Sequence, residues 1–323
     1  MKILRVPGIA TFLIASTLGT AAPAAVLRVA NGESDQRIRV FDGDTASSAS
    51  AGGHDIGIQV GSVTADIAGH RVFFIGNAGA AQALYELRYA TTQTAMPQAL
   101  PGALRITHLE WDASTTPRLV GVAIDTVTDN ARLVTVSGTT VADLGMPAAD
   151  CCVFRAGVSA FRAADDSLYL VGRRDTDAVD QIFRFGLSPP ALVEAAAVPA
   201  DLSILELAID ASGQLIGLAY SATADVTKAF TTNAALTIDM LGSGLEDCCF
   251  ANAGMVALDA AAHRLHVLGP GIAGVRPNPS WAWSFDLDAG TIDGGFLARS
   301  GAGLFVDATP IVPDSVLLAD GFE

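Results

Sequence analysis

Residues 205–219 read LELAIDASGQLIGLA, and residues 255–269 read MVALDAAAHRLHVLG. Each places an apolar strand before an aspartate, then a short turn, then a second apolar strand. The same text recurs as SVTADIAGHRVFFIG (62–76), HLEWDASTTPRLVGVA (108–123) and VSAFRAADDSLYLVG (158–172). The residues that mark the end of the first strand are Asp66, Asp112, Arg162, Asp210, Asp259 and Asp307, at gaps of 46, 50, 48, 49 and 48. A strand-turn-strand unit repeating at this period predicts an all-β fold, a six-bladed β-propeller with about 48 residues per blade.

Period-2 alternation supports the strands. One residue before each marker stand Ala65, Trp111, Phe161, Ile209, Leu258 and Val306, and three before stand Val63, Leu109, Ser159, Leu207, Val256 and Leu304. These form one nearly apolar face. The second strands, VFFIG (72–76), LVGVA (119–123), LYLVG (168–172), LIGLA (215–219) and LHVLG (265–269), are apolar on both faces, as strands sandwiched between neighbouring sheets should be. Third strands are expected at 84–89, 131–136, 182–187, 236–240 and 282–287, followed by polar turns such as Asp288-Ala289-Gly290-Thr291.

The stretch QRIRVFDGDTAS (36–47) matches the end of a repeat, and GLFVDATP (303–310) matches the beginning of one. The two ends of the chain therefore read as halves of one blade, whose pairing would close the ring and remove the free sheet edges. A closed ring implies a single domain, here residues 25–313, with an acidic tail at 314–323.

The first 24 residues read as a targeting segment. Lys2 and Arg5 precede the apolar run Ile9 to Leu18, and Ala22-Pro23-Ala24 fits a small-x-small cleavage site. The run is shorter than the roughly 18 to 20 apolar residues of a membrane span, and no later stretch reaches that length. A retained N-terminal anchor is the alternative. Cleavage after Ala24 leaves 17 basic against 34 acidic residues, with Lys228 as the only lysine. So acidic a surface repels phosphate backbones and anionic lipid, which excludes nucleic acid and membrane surfaces as natural partners. The expected product is a secreted or periplasmic monomer.

Two six-residue pieces, Asp210-Ala211-Ser212-Gly213-Gln214-Leu215 and Phe285-Asp286-Leu287-Asp288-Ala289-Gly290, carry a resemblance. They are similar to the blade text of exported β-propellers of the broad NHL- and YVTN-like repeat class. That class includes lactonase-like enzymes, sugar binders and adhesion modules, so the resemblance implies the fold and leaves the activity open. The last residues, LLADGFE (317–323), resemble a short acidic tail on other exported bacterial proteins.

All four cysteines lie in two matching contexts, DCCVFRAGVSAF and DCCFANAGMVAL, each second cysteine ten residues before its marker. Cys151-Cys152 and Cys248-Cys249 thus occupy equivalent loops of the third and fifth blades. An even cysteine count in an oxidising compartment reads as disulfides. Positions two blades apart should exceed the about 7 Å reach of a bridge. Neighbouring Cα atoms, in contrast, lie only about 3.8 Å apart, which makes a vicinal bond strained. Vicinal disulfides Cys151–Cys152 and Cys248–Cys249 are expected, with bridges between the pairs and free or metal-bound thiols as alternatives. Such loops would form either stiffened turns or a platform beneath a ligand.

The other face of the innermost strands is mostly small or apolar, with three exceptions: His108, Glu110 and Glu206. Charged groups are rarely buried without a partner, an ion or water. Glu110 and Glu206 are candidate ligands for a hard cation such as Ca²⁺, with His108 as ligand or general base. A solvated channel lining is the plainer reading. No serine-elbow, H-E-x-x-H, phosphate-loop or EF-hand pattern is present. The loop GPGIAGVRPNPSW (269–281) offers Arg276 and Trp281 as recognition residues. The leading expectation is an exported binding module that presents one disc face, with its DCC loops, to a protein, glycan or small ligand. The alternative is a cation-dependent, lactonase-like hydrolase at the channel mouth.

Overall fold

The computed structural model describes residues 25–29, 37–42, 48–53, 59–78, 81–88, 96–145, 152–174, 176–242, 244–246, 256–260, 262–270, 280–296 and 311–313. The targeting segment, the acidic tail, Cys151, Cys248, Cys249 and Arg276 lie outside them. Among the described residues all regular structure is β, apart from one 3-10 turn at Ala163–Asp165.

The first three strands are β1 (Ala25–Val29), β2 (Arg37–Asp42) and β3 (Ser48–Gly53). A first antiparallel blade follows as β4 (Gln59–Asp66), β5 (Arg71–Ala78), β6 (Ala81–Arg88) and β7 (Met96–Ala99). The second is β8 (Leu104–Asp112), β9 (Arg118–Asp125), β10 (Ala131–Ser137) and β11 (Thr140–Gly145). The third is β12 (Val153–Arg162), β13 (Ser167–Arg173), β14 (Gln181–Leu187) and β15 (Pro190–Ala197). The fourth is β16 (Leu202–Ile209), β17 (Leu215–Ser221), β18 (Val226–Thr232) and β19 (Ile238–Met240), with the short β20 (Leu245–Glu246) also on β18. The fifth is β21 (Val256–Asp259), β22 (Arg264–Pro270), β23 (Ser280–Asp286) and β24 (Thr291–Phe296).

Five blades, not six, are therefore built from continuous sequence. The remaining four-stranded sheet is a composite of the two chain ends, in the order β25-β1-β2-β3, with β25 (Ile311–Pro313) antiparallel to β1. Strand β25 lies beside β21 on one side and β4 on the other.

The core is not a single centre but a series of seams between blades. The five-residue run LIGLA shows why. Leu215 and Ala219 of β17 pack with Tyr169, Val171 and Ile182 of the third blade. Ile216 and Leu218, pointing the opposite way, pack with Val256, Leu265 and Phe285 of the fifth. Each strand thus serves two seams, which is why its sequence is apolar at every position. Fully buried side chains such as Phe230, Phe183 and Leu109 contribute about 1.5–3 kcal/mol each by leaving water.

The marker aspartates make the turns. Asp66 Oδ1 accepts from Gly69 N (2.9 Å), Asp112 Oδ1 from Ser114 N (2.9 Å), and Asp259 Oδ1 from Ala262 N (2.9 Å). Asp210 Oδ1 accepts from both Ser212 N and Gln214 N, at 2.8 Å each. In the first, third, fourth and fifth blades the turn also contains one left-handed residue, His70 (φ 50°), Asp166 (φ 49°), Gly213 (φ 84°) and His263 (φ 51°). Two histidines without chemical context in the sequence are therefore turn residues.

One third strand differs from expectation. The fourth blade uses Val226–Thr232 rather than 236–240, where Leu236 sits at φ 56° in a turn. Its sequence, VTKAFTT, looks polar. Three of its buried positions are Thr227, Phe230 and Thr232, and the Thr232 hydroxyl satisfies itself on Leu215 O at 3.2 Å.

The glycines of the second strands answer to a feature the sequence did not reveal. The innermost strands β4, β8, β12 and β16 each carry a register shift, between Val60/Ser62, Ile106/His108, Phe154/Ser159 and Ile204/Glu206. Carbonyls at or beside these bulges press against the neighbouring strand. A Cβ on Gly121 would stand 2.0 Å from His108 O, one on Gly172 2.4 Å from Val153 O, and one on Gly217 2.3 Å from Glu206 O. Gly121→Ala or Gly217→Ala is expected to lower stability by about 1–3 kcal/mol in urea unfolding. Gly102→Ala, where a Cβ would meet nothing within 4 Å, is the matched control and should stay near wild type.

Candidate central site

Hydrogen bonds tie the first four blades in succession, each at one repeat's separation. Leu109 N donates to Ser62 Oγ and Trp111 N to Thr64 Oγ1, both at 2.9 Å and both 47 residues apart. Gln82 spans the same seam with a reciprocal pair, taking Ile106 N (2.7 Å) and donating to Ile106 O (2.8 Å) at the second blade's bulge. At the next bulge, His108 Nε2 meets Arg155 O at 2.8 Å, and at the next again Arg155 Nη1 donates to Ile204 O at 2.7 Å. Backbone groups that a bulge removes from the ladder are thus bonded by a side chain of the preceding blade.

The innermost strands enclose a cavity of about 330 Å³. Ser62 and Thr64 of β4, Glu110 of β8, Ser159 of β12, Glu206 of β16 and Ala257 of β21 contribute to its wall. Ile67 and Ala260, on the marker turns, line it and are solvent-exposed, so the cavity meets water at that end. Small residues leave the space and the carboxyls supply its polarity.

Glu110 and Glu206, singled out from the sequence, are indeed brought to one cavity. Ser159 Oγ donates to Glu110 Oε1 at 2.5 Å across the seam between the second and third blades. Burial pushes the Glu110 carboxyl up to about 8, only partly offset by the Ser159 hydroxyl. At neutral pH it therefore holds its proton and can donate one hydrogen bond while accepting another. Glu206 is 7 % exposed, and its Oε1 accepts from Leu207 N at 3.2 Å. Among the described residues no group of three or more His, Cys, Asp or Glu side chains is placed to hold a metal ion.

His108 departs from its expected place at the channel mouth. It shares Glu206's register four residues before the marker, yet it is 1 % exposed and is not among the residues lining the cavity. Arg155 O, freed by the third blade's bulge, can only accept, so Nε2 carries the ring proton. Nδ1 then accepts from Thr107 Oγ1 at 3.0 Å, and the ring lies edge-on to Phe154. Burial lowers its pKa to about 4 against the pull of the Arg155 carbonyl. It is a neutral residue held in the seam between the second and third blades.

Cys152 is buried in the apolar seam between the second and third blades, with Val120, Leu168 and Phe183. Trp281 lies in β23, paired with Gly269 and Phe296.

No protein-family model and no curated protein matches this chain. Solved structures do share its fold. A nidogen/laminin complex chain is 10% identical with a TM-score of 0.60, covering 90% of this chain and 97% of that one. The periplasmic gluconolactonase PpgL of Pseudomonas aeruginosa is 12% identical with a TM-score of 0.52, covering 87% and 84%. An oligogalacturonate lyase in complex with manganese is 12% identical with a TM-score of 0.50, covering 80% and 69%. At such identities the likeness establishes a β-propeller and nothing finer. No helix among the described residues is long and apolar enough to cross a membrane.

The two perturbed groups make opposite contributions to the pH dependence of stability. The folded pKa of Glu110 lies above its ordinary 4.5, so its contribution is intact below about 4.5 and is lost as pH rises through about 8. The folded pKa of His108 lies below its ordinary 6.5, so its contribution is present above 6.5 and is lost as pH falls through about 4. Urea unfolding across this range should find the decline from pH 4.5 to 8 flattened in Glu110→Gln, with the acid-side loss retained.

Proposed function

We propose that this chain is an exported β-propeller binding protein whose central cavity receives a small, neutral, hydroxyl-rich ligand such as a sugar. The domain would span 25–313, with the composite sheet acting as a sixth blade. The observation that carries the reading is the Ser159–Glu110 pair set into the cavity wall, where burial keeps the carboxyl protonated at neutral pH. A neutral carboxyl beside hydroxyls offers both donors and acceptors without a charge, which is what an alcohol needs and a hard cation does not. Ser62 and Thr64 accept from the next blade's amides, which leaves their own protons to donate. The DCC loops would frame the opposite disc face. Vicinal disulfides Cys151–Cys152 and Cys248–Cys249 would stiffen those loops.

A cation-dependent hydrolase is the second reading. It is favoured by the convergence of Glu110 and Glu206 on one cavity. It is disfavoured by the seam position of His108 and by the protonation of Glu110.

One substitution separates the two. Glutamine keeps the neutral shape and a donor of the protonated acid but cannot replace a carboxylate as a metal ligand. Titration with a panel of neutral mono- and disaccharides should give saturable binding that survives Glu110→Gln and falls at least ten-fold in Glu110→Ala, on the order of one lost hydrogen bond within a desolvated site. Wild-type binding should weaken above pH 8 as Glu110 ionises, while the glutamine variant's should not. Binding or hydrolysis abolished by a chelator and by Glu110→Gln would overturn the proposal in favour of the hydrolase.

A further inference from the structure

Arg162 holds a marker position that is otherwise aspartate throughout the described blades, at Asp66, Asp112, Asp210 and Asp259. Those carboxylates close their own turns. Arg162 makes no side-chain cap for the 3-10 turn that follows it; it reaches sideways instead. Its Nε and Nη2 donate to Asp165 (2.8 and 2.6 Å), and its Nη1 crosses to Gly213 O of the fourth blade at 3.1 Å. The guanidinium lies 5.1 Å from the centre of the Tyr169 ring. The exchange of acid for base thus serves the seam between the third and fourth blades as well as the turn.

That seam holds a second cavity, about 280 Å³, separate in its lining from the central one. Arg162, Tyr169 and Arg184 form the third-blade wall, and Gln214, Thr232 and Asn233 belong to the fourth-blade wall. Arg184 donates Nε to Ser167 Oγ (3.2 Å) and Nη2 to Asp165, which leaves Nη1 without a partner among the described residues. Asn233 Oδ1 accepts from Ala235 N (2.9 Å) and Thr237 N (3.0 Å), so its orientation is fixed and its amide NH2 remains to donate. Gln214 Nε2 is taken by Thr232 O (2.8 Å), which leaves its Oε1 as an acceptor. Asp165 and the cross-strand neighbour Glu194 balance the two arginines, so recognition here rests on directed hydrogen bonds rather than on net charge.

We propose that this interblade cleft is a binding site for a small hydroxycarboxylate. Its carboxylate would accept from Arg184 Nη1 and the Asn233 amide on opposite walls, and its hydroxyl would donate to Gln214 Oε1. Two donors converging from different blades suit one planar carboxylate, for which a guanidinium supplies well-aligned hydrogen bonds.

The test is calorimetric titration of the full chain with sodium lactate, and with sodium acetate as the analogue that lacks the hydroxyl. Lactate is expected to bind saturably and more tightly than acetate. Arg184→Gln, which leaves Arg162 to pair with Asp165, should weaken lactate at least ten-fold. Asn233→Asp keeps the turn-capping oxygen but replaces the donor with a like charge, and should weaken it as much. Glu110→Ala in the central cavity, the variant expected to lose sugar binding, should leave lactate binding unchanged, which separates this site from the sugar site. Absence of saturable lactate binding, binding indifferent to both cleft variants, or binding lost in Glu110→Ala would each overturn the proposal.

Discussion

The seam between successive blades is the constraint on which the rest of this structure depends. A strand that buries both faces cannot be stable alone, and the second, third and fourth blades have apolar side chains on both sides. Burial favours the stacking but does not fix its register, because apolar contact is non-directional. Between the first four blades, register comes from the polar bonds that cross the seams. They join residues 47 to 51 apart, which is one repeat of sequence. The bulges supply many of the groups those bonds use. A bulge frees backbone donors and acceptors, burial makes them expensive to leave unmet, and a side chain from the preceding blade meets them.

The candidate site is a consequence of the same device. The Ser159–Glu110 bond is itself a seam bond, 49 residues in span, that happens to face inward. His108, two residues earlier, makes a seam bond to Arg155 O and does not line the cavity. Two residues apart, one polar group therefore lines the hollow and the other serves as mortar. The marker turns extend the pattern across the disc: Arg118 joins Asp112 of its own blade at 2.9 Å to Asp166 of the next at 2.6 Å. Partly exposed pairs of this kind add little individually, but their bidirectional geometry orients neighbouring turns.

Much of this was legible in the chain, and the limits have physical causes. The period, the two faces of the first strand and the turn role of the aspartates follow directly from side-chain alternation and turn chemistry. Glu110 and Glu206 stood out because charge in an apolar strand is rare. The role of His108 was hidden because its partner, Arg155 O, is a backbone carbonyl of the next blade, which side-chain alternation does not reveal. Val226–Thr232 was hidden because its buried threonines, Thr227 and Thr232, make it look polar by composition. The glycines were visible, but their reason was not, since a carbonyl from another strand dictates it.

The central claim is that the cavity holds a carboxyl in its neutral form at pH 7, and infrared difference spectroscopy measures this directly. Comparing wild type with Glu110→Gln should isolate the carbonyl band of one protonated carboxylic acid at pH 7. That band should give way to a carboxylate signal as pH rises through about 8. A carboxylate signal already dominant at pH 7, with no protonated band lost in the variant, would contradict the account and return the cavity to a cation.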